Sequence, residues 1–171
     1  MNGGWTPAQA ALRITIVAGM MVALLATGLR GAWPAWWLVL LVAGLAVAFA
    51  LLPEAPMGTV ATGLVLAWWG FAFRGGPYPE ALLAAAGLLT AHVAAVVAGY
   101  GPRDLPPDPA TVRLWAVRGA VVFLAAPTVF VVAALLAGQP EPGGIWVAGL
   151  AAALVTTVAA GFVLADSSQE G

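Results

Sequence analysis

Six apolar stretches, each close to the length of a helix that crosses a lipid bilayer, occupy most of this chain, and five of them open on a proline. A hydrocarbon core about 30 Å thick asks for roughly 20 helical residues. Runs of that order fall at 7–29, 34–52, 56–73, 79–100, 109–136 and 144–165. Proline is tolerated at the first helical position because its missing N–H would be unpaired there anyway, and only Pro127 lies well inside a run. Thr6 before Pro7 and Asp108 before Pro109 offer capping side chains, while Glu80 puts an acid in a first turn, where the helix dipole favours it. Gly31, Gly75, Gly101 and Gly138 each follow an apolar run, where a left-handed residue can close the last turn. The pattern predicts an all-α, polytopic transmembrane bundle of about six helices with short loops, forming a single membrane domain over residues 1–171.

Composition removes the competing readings. The chain is 63% hydrophobic and 8% charged, against roughly a quarter charged in soluble domains. Runs without a polar face, joined by connectors of a few residues, leave a soluble protein nothing with which to cover itself. A cleaved signal peptide is not expected, because no basic residue precedes Arg13 and no small-residue cleavage site stands out. Six arginines against seven acids exclude a nucleic-acid partner, which needs clustered cations facing phosphates. The absence of cysteine removes disulfides, thiolate chemistry and Cys-ligated metals. The absence of lysine beside abundant Ala, Gly, Val and Arg is the signature of a high-GC bacterial genome.

Basic residues near span ends are retained in the cytoplasm. Arg13, Arg103, Arg113 and Arg118 fall on the side of both termini and Arg30 and Arg74 on the other, which predicts a multi-pass protein of the cell (inner) membrane with both termini cytoplasmic. Trp33, Trp36, Trp37, Trp68, Trp69 and Trp146 gather toward the outer ends, as an interfacial belt would. Helix contact in lipid depends on close backbone approach through small residues. Gly87, Ala91, Ala95 and Gly99 form one such stripe, and Gly149, Ala153, Thr157 and Gly161 another; both faces are expected to be buried against protein. Segments 11–22 and 111–122 each carry arginine in third place, too low in complexity to establish a repeat.

Ionisable groups inside a membrane are costly and usually functional, and here they are few. No Asp or Glu lies near the centre of a predicted span, which disfavours a proton- or sodium-coupled carrier. His92, the one histidine, falls near the middle of the fourth span close to Thr90. One imidazole cannot hold a haem or a closed metal site alone, so no cofactor is expected. A hydrogen bond to a neighbouring helix is the plain reading of His92, and proton handling or ligand contact the functional one. Arg118 sits at the inner hydrocarbon edge, with Arg113 and Trp115 beyond it. These long stems can snorkel to water, or the pair can bind an anionic lipid headgroup or a partner's carboxylate, unless Asp104 and Asp108 neutralise it. Pro127 is expected to bend its helix and free a carbonyl near Phe123 for Thr128 or a neighbour to satisfy. The proline-rich segment 101–108 suits protein contact, since it loses little entropy on docking. With serine absent before Ser167 and no phosphate-binding glycine loop, no enzyme activity is expected.

From His92 through Gly101 and Pro102 to Arg113 and Arg118, the chain resembles small multi-span membrane proteins of high-GC bacteria, some encoded beside MoxR-type ATPases. That resemblance implies an accessory role in an envelope-associated assembly. The expectation is a bilayer-embedded accessory or scaffold subunit with a membrane protein partner or a second copy of itself. The alternative is a small transporter or channel lined by His92 and the threonines.

Overall fold

The computed structural model describes residues 5–53, 55–74, 76–100 and 105–137, together with residues 151 and 154. Among them the chain is helical and contains no strand. The first helix, α1, runs Pro7–Leu25 and continues as a tighter 3₁₀ segment, Ala26–Arg30. After it come α2 (Trp36–Leu51), α3 (Met57–Ala72), α4 (Glu80–Gly99), α5 (Pro109–Phe123) and α6 (Ala125–Leu136). The chain divides into two units, Met1–Ala137 and Gly138–Gly171, and α1 to α6 all belong to the first. The sixth predicted stretch and its small-residue stripe lie outside the described residues, except for Ala151 and Leu154, which are helical.

The predicted start signals operate as the physics requires. Thr6 accepts from the Gln9 N–H at 3.3 Å, with Pro7 at the first helical position. The Asp108 carboxylate accepts from the N–H groups of Ala110 (3.3 Å) and Thr111 (3.0 Å) and from the Thr111 hydroxyl (3.0 Å). Glu80 stands in the first turn of α4. Gly31 adopts φ +79° and closes the first helix as expected. The stops placed at Gly75, Gly101 and Gly138 lie outside the described residues.

Among the described residues three stretches are long and apolar enough to cross a membrane: Pro7–Arg30, Glu80–Gly99 and Pro109–Leu136. The helices α2 and α3 are apolar but have 16 residues each, and thus span about 24 Å. They are shorter than predicted because the prolines at their starts lie outside them; Pro34 precedes the Ala35 cap of α2, and Pro56 is itself the cap of α3. The 28-residue stretch Pro109–Leu136 is interrupted at Leu124, one turn before Pro127. Pro127 has no N–H to offer the Phe123 carbonyl four residues back. Thr128 donates its hydroxyl to the Leu124 carbonyl at 2.9 Å, not to that of Phe123.

Packing centres on α1. Ile16 and Met20 share a core layer with Phe49 and Ala50 of α2, Ala61 of α3 and Ala91, Ala94, Ala95 and Ala98 of α4. Ala23 and Leu24 share the other with Leu38, Val42, Val65 and Ala84. Residue numbers therefore rise along α1 and α3 from one end of the block and fall along α2 and α4, an up-and-down arrangement. The closest approach is between α1 and α4: a Cβ on Gly19 would lie 2.5 Å from the Gly87 carbonyl oxygen, and one on Gly87 2.6 Å from that of Gly19. The predicted face of α4 is buried at Gly87, Ala91 and Ala95, whereas Gly99 is exposed. Its partner, Gly19 on α1, carried no stripe that marked it in advance.

Tryptophans at the far end divide into two groups. Trp33, Trp36 and Trp37 are exposed, as a belt would be. Trp68 and Trp69 turn inward instead, donating to the Thr27 hydroxyl (3.1 Å) and the Ala23 carbonyl (2.8 Å) of the first helix. Beside them Arg30 pairs with Glu80 at 2.9 Å and lies over the Tyr78 ring. This polar latch ties α1, α3 and α4 together where an unpaired indole N–H would be costly.

Candidate functional site

Ala91 and Ala94 hold α4 against α1, and His92 therefore points away from the core. It is exposed and lies near the middle of α4, as expected, with about two turns, roughly 10 Å, separating it from the Gly99 end. The expected hydrogen bond to a neighbouring helix is not formed among the described residues. Instead, His92 and Thr62 of α3 both line two grooves. One, of about 870 Å³, reaches from Pro53, Pro56 and Tyr100 to Met20 and His92. The other, of about 720 Å³, extends from Thr62 and His92 toward Tyr78, walled by α4 and by Val122, Val129 and Phe130. No Asp, Glu or Arg lines either groove among the described residues.

Thr90 is not brought together with His92. Two residues along a helix turn the side chain by about 200°, and Thr90 faces a separate groove of about 430 Å³ with Thr15, Val93 and Gly119. Among the described residues no three His, Asp or Glu side chains gather to hold a metal ion. The imidazole can accept or donate a hydrogen bond and exchange a proton.

Arg113, Trp115 and Arg118 follow one another on α5. Arg118 lies over the Trp115 ring at 5.4 Å from its centroid, and Trp115 meets Tyr100 at 6.0 Å. Both arginines are exposed, which suits a headgroup or an acidic partner. Among the described residues Asp108 forms no ion pair with either arginine, and its oxygens are engaged in the α5 cap. Those hydrogen bonds, the Thr111 N–H foremost, hold its carboxyl below its ordinary value. Asp104 lies outside the described residues.

The polar pair that sequence reasoning missed is Gln9 and Arg13. Both are buried on the face of α1 that also carries Ile16 and Met20. The Arg13 guanidinium donates to the Ala50 carbonyl, one of the last of α2, and stacks over Trp5 at 4.7 Å. A cation at a helix C-terminus satisfies carbonyls that have no intrahelical donor. The Gln9 amide, fully buried, has no hydrogen-bond partner on either atom. The signal was present: 9, 13, 16 and 20 follow the three- and four-residue spacing of one helix face. Counting Arg13 only as a charge that sets orientation concealed it. No protein-family model, curated protein or solved structure matches the chain.

Proposed function

We propose that this chain is an integral membrane protein of six transmembrane helices, with both termini cytoplasmic, that serves as an accessory or scaffold subunit of an envelope-associated assembly. The observation that carries this reading is the state of Pro109–Leu136. Among the three stretches long enough to span a membrane it is the most apolar, yet only 6% of its most apolar window is buried. A long apolar face held to the rest of the protein mainly through α4 is surface for lipid and for another membrane helix. Arg113, Trp115 and Arg118 at its start supply contacts for anionic headgroups or partner carboxylates. Purification in native lipid discs, followed by mass measurement of the intact particle, tests this: a stoichiometric complex with another membrane protein or a second copy is expected, and monomer alone contradicts it.

A second reading, a small transporter or channel, is favoured by one observation: His92 is exposed at the junction of two grooves. Its test is solute or ion flux in reconstituted vesicles, lost in His92→Phe.

A further inference from the structure

The described threonine hydroxyls sort themselves by whether their own helix engages them. Thr15, Thr27 and Thr128 donate to carbonyls of the preceding turn at 2.9, 3.0 and 2.9 Å. Thr6 and Thr111 are engaged in helix caps. Thr59 and Thr62 have no hydrogen bond among the described residues, and neither has His92. All three line the same groove, the one of about 870 Å³ that begins at Pro53, Pro56 and Tyr100. Thr90, the remaining described threonine without such a bond, faces the other side of α4.

A hydroxyl or imidazole without a partner is costly in hydrocarbon, and a lipid tail cannot supply one. Water can. Three hydrogen-bonding side chains converge from two helices, with the Tyr100 phenol at the mouth. At about 30 Å³ per water, the groove of about 870 Å³ holds on the order of thirty molecules. Past the waist formed by Thr62 and His92 the second groove is walled by Leu88, Ala126, Val129 and Phe130, and its next polar side chain is Tyr78 at the far end. Water satisfied by the first groove has nothing to bind in the second.

We infer that the α3–α4 groove is a one-sided aqueous inlet, admitting water, and through it protons, to His92 from the Pro53 and Tyr100 end only. His92 then exchanges its proton with one compartment and is insulated from the other. This rests on the helices spanning a bilayer and is independent of the accessory role.

The absence of native cysteine makes the test direct. Single variants Thr59→Cys, Thr62→Cys, His92→Cys and Ala126→Cys, with Ala55→Cys and Gly76→Cys as connector references, are reacted in vesicles of either orientation with a charged, membrane-impermeant methanethiosulfonate. Thr59→Cys, Thr62→Cys and His92→Cys are expected to react from the side that labels Ala55→Cys, and about a hundredfold more slowly or not at all from the other, because a charged reagent is excluded from hydrocarbon. Ala126→Cys should be inert from both sides. Inert Thr62→Cys and His92→Cys beside a reactive Ala55→Cys would overturn the inlet, as would equal reaction from both sides. Thr62→Cys, nearly isosteric, decides the matter if His92→Cys fails to fold. Labelling of Ala55→Cys and Gly76→Cys from the same side would instead remove the spanning arrangement, and the inlet with it.

Discussion

Pro7–Arg30 and Pro109–Leu136 are both long and apolar enough to cross a bilayer, and they are packed in opposite ways. The second is the more apolar, yet 6% of its window is buried against 44% for the first. In water the more apolar helix would be the more buried, because burial is driven by removal of apolar surface from solvent. In lipid that drive is absent between helices, and contact goes to sequences that let backbones approach or that pair polar groups. The first helix has both: Gly19 against Gly87, and Arg13, Ala23 and Thr27 in hydrogen bonds to α2 and α3. In Pro109–Leu136 the one buried residue is Gly119, against Val93 of α4.

The largest effect is expected at Gly87. Gly87→Leu drives a side chain into the α1 backbone and should cost about 3 kcal/mol or prevent folding. Ala134→Leu, on the exposed face of α6, should change stability by no more than about 0.5 kcal/mol. Reversible unfolding in bicelles reads both, and equal losses would mean that close backbone approach does not distinguish the two regions.

Next in size is the buried polar pair. Arg13→Met removes the donor at the end of α2 and should cost about 2 kcal/mol. Gln9→Leu, which replaces an amide with no partner on either atom, should be neutral or stabilising in the same assay. A large loss at Gln9 would show that its amide is satisfied by something bound there. Smaller again, Trp69→Phe keeps the ring and loses the bond to the Ala23 carbonyl, for about 1 kcal/mol. Trp36→Phe, exposed, should leave unfolding unchanged.

The smallest effect is expected at the start of α5. Asp108 has its pKa lowered by the fold, so its stabilising contribution is complete above the unfolded value near ~4 and is lost as pH falls through the lower folded value. Amide exchange at Ala110 and Thr111 should therefore accelerate in acid below that value. Asp108→Ala should exchange fast at every pH, and no acid dependence in the native chain would contradict the cap's role.

How much of this was legible depends on where the information resides. Helix starts at Pro7 and Pro109 and the closing turn at Gly31 follow from local backbone rules, which need no partner to be read. The buried face of α4 was legible through Gly87, Ala91 and Ala95, because small residues at four-residue spacing mark a contact whatever covers it. Gly19 was not, since a single glycine on α1 becomes a contact only once α4 lies beside it. Trp68 and Trp69 read as belt residues because their inward turn depends on Thr27 and Ala23, more than forty positions away. The position of His92 along α4 was legible, but the residues around it were not. Its neighbour in sequence, Thr90, lies on another face, and its neighbour in the groove, Thr62, comes from α3. Arg13 was hidden for the same reason, its partner being the end of α2.

Extraction of a single molecule from the bilayer by force applied at the C-terminal end tests the central contrast most directly. Once the residues beyond Ala137 are drawn out, Pro109–Leu136 should leave next, at the lower force, and α1 to α4 should then come out together in one cooperative step, because Gly19, Gly87 and the Trp68 and Trp69 latch connect them. Release of the whole chain in one step, or withdrawal of α4 from α1 at no greater force than Pro109–Leu136 requires, would contradict the account.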